Sequence, residues 1–504
     1  MPNLLYDTLF APHEGSARTF LVLADGREIS HADFLEMASR FANAIRSAGV
    51  SVGDRVAVQV KKSAEALAVY AACVKAGAIF LPLNTAYTPS EVEYFVSDAE
   101  ARLLLCDPAG AEALAPVAEK AGAALMTLDG DGSGSFADAA LAQSASFEAV
   151  GRGPDDLAAF LYTSGTTGRS KGAMLSHDNL LSNAQSLVDY WQFTSDDVLL
   201  HALPIFHTHG LFVASNVSLL AGGAMIFLPG LDMDKMFEFM PRATTMMGVP
   251  TFYTRLLADR RLTRDAVAHM RLFISGSAPL LAETHVEFEQ RTGHRILERY
   301  GMTETNMNTS NPYDGERRAG TVGFPLPGIS VRVADGETGK LLASGEIGVL
   351  EVKGRNVFKG YWRMPEKTAE EFRADGYFIT GDVATIDDTG YVTIVGRARD
   401  LIISGGYNIY PKEIELALDE LAGVNESAVI GVPHPDFGEA VIAVVVPKAG
   451  ETLEESVLLA AIAPGLARFK QPRRIFIIPE LPRNTMGKVQ KNLLRETYAN
   501  LFQS

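Results

Sequence analysis

Residues 162–172 read YTSGTTGRSKG and set glycines, hydroxyls and two cations in one short loop behind the apolar run 157–162. Gly165 and Gly168 let backbone N–H groups approach an anion, Thr163, Ser164, Thr166 and Thr167 add hydroxyl donors, and Arg169 and Lys171 add positive charge. The chemistry implied is phosphate binding. A Walker A loop does not fit, because it needs four residues between its first glycine and a Gly-Lys-Ser/Thr triplet, whereas Lys171 here stands between Ser170 and Gly172. A flexible linker has similar composition, but seldom follows a strand-like apolar run.

Other patterns offer weaker chemistry. GVSVG at 49–53 and GRSKG at 168–172 match GxSxG formally. The first lies between a helix and the following strand rather than on a strand-to-helix elbow, and the second falls inside the phosphate loop. His207 and His209, in FHTHG at 206–210, could ligate a metal, yet no third ligand stands near them in sequence. GDGSGS at 130–135 lacks the carboxylates and closing glutamate of a calcium loop and reads as a surface turn.

Five motifs stand in order along the whole chain: YTSGTTGRSKG, YGMTE at 300–304, TGD at 380–382, GRARD at 396–400 and NTMGK at 484–488. In sequence and spacing they resemble those of the acyl-adenylate-forming superfamily, which includes acyl-CoA synthetases, luciferases and adenylation domains. The resemblance implies a two-step reaction: a carboxylate attacks the α-phosphate of ATP, pyrophosphate leaves, and the thiol of coenzyme A then displaces AMP. It also implies the roles. The loop residues 163–168 and Lys171 hold phosphate, with Lys488, Lys171, Arg169, His207 and Thr303 as catalytic candidates. Glu304 and Thr167 hold Mg²⁺, a hard cation that prefers oxygen. Ser277, Ala278 and Pro279 with the segment Glu298, Arg299, Tyr300, Gly301, Met302 and Thr303 bind the nucleotide, Tyr300 giving the adenine a flat face. Asp382, Ile394 and Arg397 take the ribose end. Asp400 is the hinge, Gly405 and Gly406 face the pantetheine of CoA, and Lys488 bridges carboxylate and α-phosphate. Acylation of Lys488 would erase its charge, which makes a lysine acetyltransferase and deacetylase candidate partners.

The acid is the finer question. Arg299 immediately precedes YGMTE, a position that lines the acyl pocket in this superfamily, and a guanidinium there would pair bidentately with a second carboxylate. Together with FHTHG, this resembles the malonyl-CoA synthetases most closely; His207, Ser275, Arg299 and Met307 would form the pocket. The implied partners are malonate, ATP and CoA. Methylmalonate differs by one methyl, worth about 1–3 kcal/mol. A salt bridge from Arg299 to Glu298 or another wall carboxylate is the structural alternative. The functional alternatives are a ligase for another short or medium acid and a non-catalytic nucleotide-binding protein.

Elements must bring these residues together. Residues 54–81 read as strand (55–60), helix from near Ser63 to Gly77, and strand (78–81) closed by Pro82, a βαβ unit. TPSE at 88–91 is a capping box with proline just inside, opening another helix, and a strand follows at 101–106. This alternation predicts an α/β fold with largely parallel sheets covered by helices. The twenty uncharged residues 211–230 could span a bilayer, but Gly222 and Gly223 interrupt them, so a buried helix (211–221) and strand (224–228) are expected. From about 320 to 397 the texture is β-rich. After a hinge at 398–401, residues 402–504 read as a small mobile α+β domain with helices at 411–421, 453–462 and 490–501 and strands at 427–432, 441–447 and 475–479; residues 1–397 form the large domain.

Composition sets outer limits. The length, 504 residues, exceeds one core. The formal charge of −16 argues against a nucleic-acid surface, which needs clustered cations. Cys73 and Cys106 have no CxxC spacing, so a disulfide framework or thiolate zinc site is not expected and a reducing cytoplasm fits. MPNLLYDTLFAP has no basic n-region, so no secretory signal is expected.

Overall fold

A computed structural model describes residues 1–163, 170–404, 407–435, 437–466, 468–484 and 487–502. Gly405, Gly406 and most of the loop expected to hold phosphate, Ser164, Gly165, Thr166, Thr167, Gly168 and Arg169, lie outside the described residues. Two compact units emerge: Met1–Val331 with Val352–Phe378, and Arg332–Glu351 with Ile379–Ser504.

The first unit is built on two sheets that are parallel through most of their width. In the six-stranded sheet, Ala124–Thr127, Ala101–Cys106, Arg55–Gln59, Ile79–Pro82 and Leu157–Thr163 run parallel, and Lys171–Ser176 closes one edge antiparallel. In the nine-stranded sheet, Thr19–Leu23, Ala224–Phe227, Val198–His201, Thr245–Gly248, Leu272–Ser275 and Leu297–Met302 are parallel neighbours. Parallel strands need both faces covered, and the helices do this. Ala64–Ala76 is buried along almost its entire length. Its ends follow from local chemistry: Ser63 caps Ala66 N at the start, and Gly77 stops it in a left-handed turn at φ 69°. The capping box at Thr88 and Glu91 forms with both reciprocal bonds.

The uncharged stretch behaves differently from expectation at its start. Residues His209–Ser215 form a π-helix, and only Asn216–Ala221 is α-helical before the strand Ala224–Phe227. Close approach explains the glycine in this turn: a Cβ on Gly210 would lie 2.0 Å from the carbonyl oxygen of Pro204. Among the described residues no helix is long and apolar enough to cross a membrane.

The second unit holds Thr380–Asp382 within the strand Phe378–Ile386, paired antiparallel with Val392–Arg397. Further on, a sheet of Ile402–Ser404, Tyr407–Ile409, Val424–His434, Gly438–Pro447 and Arg474–Ile477 is covered by Pro411–Asp419, Glu455–Ile462 and Lys491–Tyr498. Two of these strands, Ile402–Ser404 and Tyr407–Ile409, carry no sequence signal of their own. They are three residues each, too short for alternation to register.

Candidate active site

In the first unit, the strand Leu297–Met302 turns back into Asn306–Ser310 as an antiparallel hairpin, with Arg299 opposite Ser310 and Gly301 opposite Met307. In isolation a Thr-Glu pair after YGM would suggest a helix N-terminus; here Thr303 and Glu304 instead occupy the hairpin turn. Gly301 is required by contact, since a Cβ there would sit 1.9 Å from Asn306 O.

Alternation along Leu297–Met302 sends neighbouring side chains to opposite faces. Glu298 turns to His285, 3.2 Å away, and accepts from Gly320 N. Burial pushes its carboxyl above the ordinary range while His285 opposes the shift. Arg299 points elsewhere, 3% exposed, and its Nε and Nη2 find no hydrogen-bond partner among the described residues. Glu298 is committed to His285, and among the described residues no other carboxylate pairs with Arg299. Burial lowers the guanidinium to about 9, so it stays charged at neutral pH. Its flat group lies across Gly276, where a Cβ would fall 2.4 Å from Arg299 Cζ.

Other polar atoms gather in this part of the unit. Ser275 Oγ and His209 Nε2 are buried without partners among the described residues, and His209 Nδ1 meets Ser277 Oγ at 3.2 Å. Burial, then the charge of Arg299, push His209 well below its ordinary value, so its ring is neutral. A buried unpaired charge is costly unless something arrives to compensate it. Ser277 holds φ 73°, a strained value for a non-glycine residue. His207 is half-buried, with Nδ1 3.5 Å from His209 N; Met307 is buried, and Tyr300 is half-buried with its hydroxyl 3.9 Å from Met302 Sδ.

A second constellation surrounds Glu304, 6% exposed. Thr163 Oγ1 donates to Glu304 Oε1 at 3.4 Å, and Tyr361 Oη lies 3.0 Å from the same oxygen and 2.7 Å from Glu371 Oε2. Lys171 Nζ pairs with Glu371 Oε1 at 2.9 Å and sits 3.9 Å from the centre of the Tyr361 ring. Burial and the two carboxylates push the Tyr361 phenol far up, so it keeps its proton. Burial raises Glu371, but Lys171 and Tyr361 outweigh it and hold the carboxyl below its ordinary value. Tyr361 and Glu371 carry no sequence signal for this site, since neither lies in a phosphate-type motif. Oxygen donors from Glu304 and Thr163 suit a hard divalent cation.

In the second unit Asp382, 2% exposed, receives Arg397 Nε at 2.6 Å, and its N–H donates to Thr380 Oγ1 at 3.0 Å. Thr380 Oγ1 in turn donates to Leu350 O. Ile394 lies in the neighbouring strand opposite Ala384. Lys488 N donates to Asn484 Oδ1, Asn484 N donates back to Lys488 O, and Gly487 between them takes φ 73°. Asp400 pairs with Arg495 at 2.7 Å on the helix Lys491–Tyr498.

Comparison with known proteins places this geometry. The AMP-binding enzyme family model matches residues 11–362, and the AMP-binding enzyme C-terminal domain matches 413–488. A malonate–CoA ligase of Arabidopsis thaliana is 34% identical over 98% of this chain and 89% of its own. A feruloyl-CoA synthase of an Amycolatopsis species is 37% identical over 94% of each. ATP-bound MatB from Rhodopseudomonas palustris, a crystal structure, covers all of both chains at 60% identity with a TM-score of 0.98. On these matches and the parallel-sheet architecture, the chain belongs to the AMP-binding enzyme family.

Proposed function

We propose that the protein is an ATP-dependent acid–CoA ligase that makes malonyl-CoA through malonyl-AMP, releasing pyrophosphate and AMP. The observation that carries the acid is Arg299: a buried guanidinium with unpaired N–H groups, held flat on Gly276. A diacid supplies two anionic ends. One would satisfy Arg299, with Ser275 and His209 offering further polar atoms; the other is left to attack phosphorus. A monoacid or a feruloyl group would leave the guanidinium buried and unpaired, at a cost of a few kcal/mol.

The remaining roles follow in the same reading. Asp382 and Arg397 hold the ribose, Ser277 to Pro279 and Tyr300 frame the adenine, and Thr303 donates to the α-phosphate. Glu304 would hold Mg²⁺, which neutralises charge on the leaving pyrophosphate. Lys488 neutralises the approach of carboxylate to α-phosphate, Asp400 lies at a hinge within 398–401, and Gly405 and Gly406 serve the thiol. Cys73 and Cys106, both buried free thiols, suit a reducing cytoplasm.

The test is a panel of carboxylic acids with ATP and CoA, reading AMP release. Malonate should lead, methylmalonate follow within about 100-fold, and acetate and ferulate trail. Acetate or ferulate exceeding malonate would remove the assignment.

A further inference from the structure

The Glu304 constellation holds one feature that phosphate or metal binding does not require. A single phenol hydroxyl lies within hydrogen-bond distance of two carboxylates, 3.0 Å from Glu304 and 2.7 Å from Glu371. One O–H can donate to only one acceptor at a time. Glu371 has its own cation, since Lys171 Nζ stands 2.9 Å from its other oxygen and Lys367 3.3 Å from the same atom. Tyr361 is therefore flanked by one carboxylate neutralised by lysines and one that faces the phosphate-loop strand through Thr163.

The phenol is itself tightly set. Its ring lies under Lys171 Nζ and packs edge-on against Phe358, centroids 4.8 Å apart. Tyr361 N donates to Thr368 Oγ1 at 2.9 Å, and Phe358 N donates to Glu304 O at 2.8 Å. The segment that carries the phenol is thus bonded to the backbone of the residue whose side chain it touches.

From these contacts we propose that Tyr361, braced by Glu371 and Lys171, is a positioning residue that fixes the Glu304 carboxylate for a divalent cation. On this account Lys171 acts inward, as the counter-ion that anchors the brace. The phenol and the Thr163 hydroxyl both reach Glu304 Oε1, so the brace sets the plane of the carboxylate that a cation would meet. The inference rests on reading Glu304 as a cation ligand.

Calorimetric titration of ATP into the full chain, without acid and at limiting and saturating Mg²⁺, tests both readings. The measured quantity is the gain in ATP affinity that Mg²⁺ confers. E304Q should abolish it. Y361F and E371Q should each reduce it by about 10–100-fold, the range for outer partners of metal ligands, while metal-free ATP binding changes little. A loss in E304Q with full retention in Y361F and E371Q would overturn the positioning role and leave Glu304 as ligand. Full retention in all three would overturn the Glu304 reading and the inference with it. Should Y361F fail to fold, by thermal unfolding, E371Q decides alone.

Discussion

A buried guanidinium whose Nε and Nη2 find no partner among the described residues makes opposite demands on stability and on binding. Replacing Arg299 by leucine should raise the melting temperature of the ligand-free protein, because removing an uncompensated buried charge is worth about 1–4 kcal/mol. The same change should raise the KM for malonate far more than that for acetate and abolish any malonate-dependent thermal shift. Gly276→Ala tests the shelf beneath it: the new Cβ would meet Arg299 Cζ at 2.4 Å, so malonate KM should rise with the Arg299 codon intact. The pH dependence has a fixed sign. With the guanidinium lowered to about 9, its charge is full below that pH, and malonate affinity should fall as pH rises through it while acetate kinetics stay level. Below about 9 the cost to folding is constant; from there toward the ordinary arginine value the unfolded chain binds more protons, and that cost is progressively relieved. The place of Arg299 before YGMTE made it a candidate specificity residue, and its burial is what the structure adds. That Glu298 would turn away to His285 was not legible, because His285 stands on a separate helix and side-chain partnership across elements has no sequence spacing.

Elements with strong local chemistry could be read ahead of the structure. Ser63, Gly77 and the Thr88–Glu91 box fix helix ends with their own side chains or dihedral angles, so their signals are local. The π-helix His209–Ser215 has no such signal: its wider turn is imposed by Pro204 O against Gly210 and by the bond from His201 Nε2 to Gly210 O at 2.8 Å. Gly210→Ala should therefore cost well over 1 kcal/mol in stability, more than a glycine-to-alanine change within an ordinary helix, which is favourable; denaturant unfolding checks this. A second element-scale test lies on Pro411–Asp419. Burial lifts the Asp419 carboxyl to about 6, with Lys412 at 3.9 Å and the Ser427 hydroxyl opposing. A raised carboxylate pKa means the folded state holds extra protons between about 4 and 6, so this group's contribution falls as pH climbs through that window. Asp419→Asn should raise the melting temperature more at pH 8 than at pH 4.5.

At the scale of the whole molecule, five ordered motifs made the superfamily visible, and α/β architecture followed from alternating strands and helices. The partition of the chain was less legible. Residues 352–378 join the first unit although the sequence texture around them is uniformly β-rich, because a chain's return to an earlier body leaves no local mark. The two-step reaction makes a prediction at this scale. Lys488→Ala should slow malonyl-AMP formation by at least about 100–1,000-fold yet leave thioester formation from supplied malonyl-AMP largely intact; equal losses in the two half-reactions would refute division of labour. The interleaved partition also decides where the polypeptide can be cut. The chain passes from one unit to the other at 331–332, 351–352 and 378–379. A fragment beginning at Ile379 would take Thr380 away from its acceptor on Leu350 and discard the Arg332–Glu351 pair, whose acid is fully buried at 2.8 Å from its base. A fragment beginning at Leu401 keeps a complete sheet with three covering helices. Dissection for separate study should therefore start at the later point, and grafting the small unit between relatives would carry Asp382, proposed above to hold the ribose, with the recipient rather than the donor.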